Sequence, residues 1–166
     1  MEIAGLLQNS ELFKGLNGGH LKKVAGYCLG NSYNRDSVIF MEGEKATDLY
    51  VLTEGRVVLE TEVRPVANLP AISTVVETIA AGGVFRWSAI VEPHYYTRTA
   101  RCLTNCAALS IKSELLVKVM AEGPAFGFEL MKRLAAVVSR RLTNTQLRLV
   151  SVIGAALLER EMKTPV

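Results

Sequence analysis

The sequence predicts an α+β protein with a mainly β core between helical ends, and two changes of pattern carry this prediction. From Asp36 to Ile111, short apolar segments with a period of two are separated by glycines and prolines. Many short strands at close spacing are typical of a small barrel or sandwich. From Ser113 onward the apolar residues recur at the helical period instead, and this pattern continues as far as Ala156.

The first 35 residues are predicted to be a helical segment of the same domain. A short apolar face around Leu6 indicates a first helix, and Ser10 is a candidate cap for the turn that follows. Gly18-Gly19 is expected to break the chain before a second helix over residues 20–27.

The predicted β core spans residues 36–112. Its strands are expected at Ser37–Phe40, Asp48–Leu52, Arg56–Val63, Val75–Ile79, Ala100–Leu103 and Ala107–Ile111. Gly43 and Gly55 mark two of the turns between them. The segment Pro65–Thr74 contains two prolines and is predicted to be a long hairpin loop.

Residues 113–166 are predicted to form the C-terminal helices. Ser113–Ala121 is expected to be one helix that ends near Gly123-Pro124, and a much longer helix follows. Along the long helix, apolar residues recur in alternating steps of three and four, which predicts a seam for a partner helix. This heptad seam consists of Phe128, Met131, Ala135, Val138, Leu142, Thr145, Leu149, Val152 and Ala156.

A second apolar face of the long helix is confined to its first half, at Phe126, Leu130, Leu134 and Val137. We expect this face to lie on the β core, which leaves the heptad seam to meet the same seam of a second copy. The sequence therefore predicts a homodimer through the C-terminal helix. The alternative, a helix packed wholly within its own monomer, stays open.

Length, charge and composition limit the function classes. A chain of 166 residues is long enough to bury a proper core, and a net charge of +3 is too small to predict nucleic-acid binding. No apolar run approaches the roughly 18 residues that span a bilayer, and the N-terminus lacks the basic flank of a secretory signal. Cys28, Cys102 and Cys106 lie among apolar neighbours, which is typical of buried free thiols in a reducing compartment. We therefore expect a cytoplasmic protein that does not span a membrane.

The sequence offers no candidate catalytic or metal-binding residues. Metal-dependent enzymes on barrels of this kind need two or three histidines with a carboxylate, whereas His20 and His94 lie far apart in the sequence. No Ser–His–Asp or Cys–His spacing, phosphate loop with lysine or pair of catalytic carboxylates is found in it. We therefore predict no enzymatic activity and no metal.

A stretch with one arginine near its start and two near its end is the candidate site. Residues 82–102 are GGVFRWSAIVEPHYYTRTARC, in which Arg98 lies on the apolar face of a predicted strand. A buried guanidinium needs an anionic partner, so Arg98 is predicted either to bind a ligand or to form a salt bridge with Glu92 or Glu77. Arg101 faces the other side of the strand and is expected to be solvated.

The segment Phe40–Val57, FMEGEKATDLYVLTEGRV, resembles the cyclic nucleotide-binding domain, the sensor module of the catabolite activator superfamily and of kinase regulatory subunits. Gly43 and Gly55 fall at the two turn glycines of that pattern, and the resemblance covers roughly residues 10–150. It implies an eight-stranded jelly-roll barrel, or double-stranded β-helix, with N-terminal helices and a long C-terminal dimerisation helix.

The same resemblance implies a phosphate-binding cassette. Ser88 and Ala89 match its short helical turn, whose backbone N–H groups face a phosphate. Arg98 and Thr99 match the arginine and the hydroxyl at its end, and a guanidinium binds two phosphate oxygens at once. The resemblance therefore implies an anion site in this part of the chain.

Three positions correspond to the parts of the family's site that contact the sugar and the base. Where members that bind a cyclic nucleotide usually have Gly-Glu, this chain has Arg86 and Trp87. Because the tryptophan N–H is only a donor, Trp87 cannot accept from a ribose hydroxyl, so the sugar half of the site is lost. Thr145 falls where a threonine of the family contacts the purine base across the dimer, and a register-setting polar residue in the seam is the alternative.

These features predict a regulatory sensor module that binds a small anionic effector, with cAMP or cGMP as the family default and no other cofactor. The residues expected to bind it are Arg86, Trp87, Ser88, Ala89, Arg98, Thr99 and Thr145. The alternative is a degenerate, ligand-free jelly-roll scaffold used for protein–protein interaction. Too short a segment follows the heptad seam for a recognition helix, so no direct DNA binding is predicted and a separate effector protein would carry any such output.

Overall fold

The computed structural model describes residues 2–64, 69–92 and 94–162, with side chains described up to residue 159. The chain divides into two compact units, one ending at Leu130 and the other beginning at Met131. The first unit contains the described strands, and the second is the rest of the long C-terminal helix.

Two short helices open the chain, α1 at Ile3–Gln8 and α2 at Gly18–Ala25. The Asn17 side chain caps α2, because its Oδ1 accepts a hydrogen bond from the backbone N–H of Gly19 at 2.9 Å. The prediction of a break at the two glycines is therefore wrong, since Gly18 and Gly19 are the first residues of the helix.

The described strands form two antiparallel sheets of four strands each. In chain order they are β1 Cys28–Tyr33, β2 Val38–Phe40, β3 Asp48–Glu54, β4 Arg56–Val63, β5 Ile72–Ala80, β6 Val84–Phe85, β7 Thr99–Cys102 and β8 Cys106–Lys112. One sheet has the order β1-β8-β3-β6 and the other the order β2-β7-β4-β5. A 3₁₀ turn at Trp87–Ala89 follows β6, and α3 at Ser113–Glu122 and α4 at Pro124–Met162 follow β8.

Strand pairing explains where the observed strands differ from the predicted ones. β4 has the predicted bounds, whereas β5 begins earlier, because Ile72 pairs with Val63 at the end of β4. The predicted hairpin loop is shorter for that reason, and its residues 65–68 lie outside the described residues. Two strands were not predicted: β1 is largely exposed and is fixed by its pairing with β8, and β6 is only two residues long.

The core is formed by side chains from both sheets. It includes Phe40, Tyr50, Leu52, Val57, Ile79, Phe85, Tyr96, Ala100, Cys102, Cys106 and Ala108. Its aromatic members pack together: the ring centroids of Phe40 and Tyr96 are 4.4 Å apart. Those of Tyr50 and Phe85 are 5.4 Å apart. Two of these rings, Phe40 and Tyr96, also line the candidate site described below.

Arg101 is paired, which corrects the expectation that it would be solvated. Its Nε donates to Oε1 of the buried Glu60 at 2.8 Å, and the two residues lie on the adjacent strands β7 and β4. A buried carboxylate is costly without a cation beside it. Glu60 on the neighbouring strand β4 therefore holds Arg101 in an ion pair and keeps it from being fully solvated.

The second unit is apolar and exposed along its C-terminal half. The heptad-seam residues Leu142, Leu149 and Val152 are 58%, 58% and 66% exposed. Five further apolar side chains are exposed beside them: Leu147, Val150, Ile153, Leu157 and Leu158. Large exposed apolar surfaces are typical of sites of protein–protein contact. Within the residues described here, no helix is long and apolar enough to cross a membrane.

Candidate functional site

Four of the predicted site residues line a single cleft in the first unit. Its lining residues are Phe40, Leu59, Arg86, Trp87, Ser88, Tyr96, Thr97 and Arg98, and its volume is about 50 Å³. Pockets that enclose a whole small molecule have volumes of roughly 300–1,000 Å³. The space in this cleft therefore suits a few water molecules or one phosphate-sized group, and it is too small for a whole nucleotide.

Arg98 lies immediately before β7 and is half-buried in the wall of the cleft. Its Nη1 donates to the backbone carbonyl of Thr97 at 2.5 Å. It forms no ion pair with any described residue, so the predicted alternative of a salt bridge with Glu92 or Glu77 is not found. Because a guanidinium carries five N–H donors, Arg98 retains donors for an anion in the cleft.

The 3₁₀ turn after β6 places Ser88 in the same cleft as Arg98. The turn is closed by the backbone N–H of Ala89, which donates to the carbonyl of Arg86 at 3.0 Å. Ala89 itself is buried. On the other side of the turn, Nδ1 of His94 lies 3.1 Å from the Ser88 carbonyl oxygen. The cleft thus combines one hydroxyl from the turn with the Arg98 guanidinium.

Two of the predicted site residues have other partners. Thr99 is the first residue of β7, and its hydroxyl oxygen accepts from the backbone N–H of Glu42 at 3.0 Å, which ties β7 to the segment after β2. Thr145 belongs to the second unit, where its hydroxyl donates to the carbonyl of Arg141, one helical turn earlier, at 2.9 Å. For both residues, contact with an effector stays a prediction.

Arg86 is surrounded by aromatic rings, which we call the aromatic box: Phe40, Tyr50 and Tyr96. Its guanidinium carbon lies 4.4, 4.5 and 3.9 Å from the centroids of these three rings, in that order. Burial lowers the pKa of Arg86 from its ordinary value. The Arg86 side chain thus extends into the core.

Tyr96 is a site residue that the sequence did not indicate. Its ring is buried in the core. Its hydroxyl oxygen accepts from the backbone N–H of Thr47 at 3.1 Å and also from Nη2 of Arg86. No local pattern distinguishes Tyr96 from the exposed Tyr95 beside it, because only the folding of the loop onto the core separates the two.

A larger open groove lies on the opposite side of the 3₁₀ turn. It is lined by Lys45, Ala46, Thr47, Ala89, His94, Lys112, Ser113 and Glu114, and its volume is about 420 Å³. Lys45 and Lys112 are exposed, and Glu114 offsets part of their charge. Because these lysines are exposed cations outside the cleft, they provide a matched control for Arg98.

The three cysteines are buried and free, as the sequence predicts. Burial raises the pKa of the Cys28 thiol to about 12, and burial followed by a hydrogen bond with Cys106 raises that of Cys102 to about 12. Within the described part of the chain, no group of three or more His, Cys, Asp and Glu residues is placed to hold a metal ion.

Because the thiolate is the reactive form, the raised pKa keeps Cys28 and Cys102 protonated at pH 8, and burial shields all three thiols from a reagent in solution. We expect Ellman's reagent to label none of the three cysteines in the native protein within minutes at pH 8, and all three after denaturation. Rapid labelling of the native protein would contradict this burial.

Comparisons with known proteins agree with the fold. The family model for the cyclic nucleotide-binding domain matches residues 31–122. A candidate cyclic nucleotide-binding protein from Geobacter metallireducens GS-15 is 29% identical, with a TM-score of 0.71 over 86% of this chain and 99% of that one. The Thermus thermophilus catabolite activator protein is 21% identical, with a TM-score of 0.68 over 86% of this chain and 63% of that one.

A third solved structure is the regulatory domain of Toxoplasma gondii PKA with cAMP, which is 16% identical, with a TM-score of 0.62 over 71% of this chain and 43% of that one. No curated protein sequence matches the chain significantly. The family model nevertheless covers more than half of the 166 residues and spans the cleft and both sheets. With these two sheets, the long C-terminal helix and that match, the chain belongs to the cyclic nucleotide-binding domain family.

Proposed function

We propose that the protein is a cytoplasmic regulatory sensor module that binds a small anionic effector in the cleft beside Arg98. The observation that carries the proposal is a half-buried guanidinium without a carboxylate partner among the described residues, in the same cleft as the Ser88 turn. An uncompensated cation in a cleft favours an anionic ligand, and a guanidinium is suited to a phosphate or carboxylate.

A phosphate-bearing effector is the chemistry that family membership favours. The family's name refers to cyclic nucleotides, and one solved relative, the Toxoplasma PKA regulatory domain, contains cAMP. In this chain Arg86 and Trp87 lack the acceptor that a ribose hydroxyl needs. We therefore propose that Arg98 and Ser88 hold the anionic group, with cAMP and cGMP as the reference probes.

We propose that the protein is a homodimer and that effector binding is transmitted through the dimer contact. Our proposal keeps the predicted eight-stranded jelly roll as the sensor and the heptad seam of α4 as the dimer contact. The exposure of Leu142, Leu149 and Val152 supports that contact. A separate effector protein is proposed to carry the output, and neither a catalytic role nor direct DNA binding is proposed.

The small volume of the cleft favours a second candidate, a ligand-free scaffold used for protein interaction. At about 50 Å³, the cleft resembles a packing defect more than a ligand pocket. A scaffold has no use for the Arg98 donors, so the two candidates differ in what happens when Arg98 is removed.

Arg98→Ala is the experiment that separates the candidates. We expect saturable binding of inorganic phosphate, cAMP or cGMP to the wild-type protein by calorimetric titration. Because the variant loses a charge-assisted hydrogen bond, its affinity should fall about 10- to 100-fold, while the melting temperature stays within a few degrees.

The matched control is Lys112→Ala, which removes an exposed cation from the larger groove and should leave the affinity unchanged. An equal loss of affinity in both variants would show that the anions are attracted only by the general positive charge of the surface. If none of the three probes gives a saturable signal at millimolar concentration, the sensor function is wrong and the scaffold is favoured.

A further inference from the structure

The Arg86 side chain fills the aromatic box, a space in which the ring of a ligand could otherwise stack on the aromatic side chains. Its guanidinium carbon lies within 4.5 Å of the centroid of every ring of the aromatic box. Planar cations stack favourably on aromatic faces because the ring quadrupole attracts positive charge, and the attraction increases away from water. The aromatic box is thus filled by a side chain of the protein itself.

The polar contacts of this guanidinium differ from those of a structural salt bridge. Nη2 donates to the Tyr96 hydroxyl, whereas Nε is buried and has no hydrogen-bond partner in the described part of the chain. No carboxylate of a described residue forms an ion pair with Arg86. Ring faces and tyrosine hydroxyls hold the cation in the core, and Asp48 attracts it without forming an ion pair with it.

The backbone fixes Arg86 in this position. Its φ of 68° and ψ of 32° are left-handed, a conformation that is uncommon for a residue with a Cβ. The preceding residue, Phe85, is fully buried on β6 and pairs with Tyr50 of the aromatic box on β3. Because β6 and the 3₁₀ turn hold both sides of Arg86, its side chain is directed into the aromatic box.

The position of Arg86 limits the ligands that the cleft can take. Phe40, Tyr96 and Arg86 line the cleft, so the aromatic box is continuous with it, and only about 50 Å³ remains beside them. A purine ring could stack in the aromatic box only if the Arg86 side chain left it. A phosphate-sized oxyanion needs no such movement, since Arg98 and Ser88 lie outside the aromatic box.

We propose that Arg86 is a built-in occupant of the aromatic box and restricts the cleft to compact oxyanions by excluding the nucleoside part of a ligand. The occupancy is independent of the function proposed above, whereas the ligand restriction rests on it. Arg86 is therefore the residue that determines specificity in this cleft.

Chemical rescue tests the occupancy. Arg86→Ala vacates the aromatic box, and methylguanidinium at low millimolar concentration should then bind there and raise the melting temperature saturably. Methylammonium at the same concentration should not, because it lacks the planar group that stacks on the rings. Neither the wild-type protein nor Arg56→Ala, which removes an exposed arginine, should respond to methylguanidinium. Absence of a saturable rise in Arg86→Ala would overturn the occupancy.

A measurement on the unmodified protein covers the case in which Arg86→Ala does not fold. In the wild-type NMR spectrum, the ring currents of the aromatic box should shift the side-chain protons of Arg86 upfield of those of the exposed arginines. An Arg86 side chain with the shifts of a solvated arginine would overturn the proposal without any variant.

Nucleotide titration tests the restriction. We expect Arg86→Ala to bind cAMP or cGMP at least about tenfold more tightly than the wild-type protein, a difference of about 1.4 kcal/mol, with little change for inorganic phosphate. Equal nucleotide affinity in the two proteins would overturn the restriction. If rescue succeeds but neither protein binds phosphate or nucleotide, the proposed sensor function fails together with the restriction, and the occupancy of the aromatic box stands.

Discussion

Leu149→Asp is expected to convert the proposed homodimer into a monomer at micromolar concentration. Leu149 is 58% exposed and lies in the heptad seam between Leu142 and Ala156, one heptad from each. In a dimer through this seam, the substitution places two carboxylates, one from each copy, in a desolvated contact, and burying unpaired charge is costly. We expect the dimer dissociation constant to rise about 100-fold or more.

Sedimentation equilibrium or light scattering measures this change directly. Ser151→Asp is the matched control, because it adds the same charge two residues away at a position outside the seam. The control should remain dimeric. A monomeric wild-type protein, or equal dissociation of both variants, would contradict the seam as the dimer contact.

Gly55→Ala is expected to destabilise the fold by about 3 kcal/mol or more. Gly55 joins β3 to β4 with a φ of +85°, which costs an L-residue roughly 1–2 kcal/mol. An added Cβ would also lie 2.3 Å from the carbonyl oxygen of Asn105 and 2.8 Å from Sγ of Cys106. Overpacking of this kind typically costs a further 1–3 kcal/mol or so, because the backbone of the facing turn must move.

Gly43→Ala separates the two contributions. Gly43 has nearly the same backbone angle, with a φ of +86°, but no atom lies within 4 Å of an added Cβ. It should therefore lose only the conformational term of about 1–2 kcal/mol. Urea denaturation of both variants measures the difference, and equal losses would mean that the contact with Asn105 is relieved at no cost.

The strands that the sequence predicted best are those with a clear alternation of apolar and polar residues. β4 has the predicted bounds, and its residues Val57 and Glu60 face the core and Arg101 as alternation requires. β1 and β6 were missed because their sequences have no such alternation. Their partners, β8 for β1 and β3 for β6, determine that they are strands.

The candidate site was predicted in part, for a similar reason. Ser88 and Arg98 both match a short motif that the resemblance implies. Their position in one cleft could therefore be expected from the sequence. The role of Arg86 could not, because the aromatic box consists of rings from β2, β3 and the loop before β7. A sequence gives the bulk and charge of a side chain, and its direction depends on which distant residues surround it.

The sequence by itself determined the local features: a mainly β core, a long helix with a heptad seam, two turn glycines and the arginine-containing stretch of residues 82–102. These depend on local backbone preferences and on the period of apolar residues, which neighbouring positions specify. Only the tertiary structure decided that Arg98 has no carboxylate partner among the described residues and that Arg86 fills the aromatic box. Both depend on the solvation of a guanidinium, which is fixed by residues up to tens of positions away that fold against it.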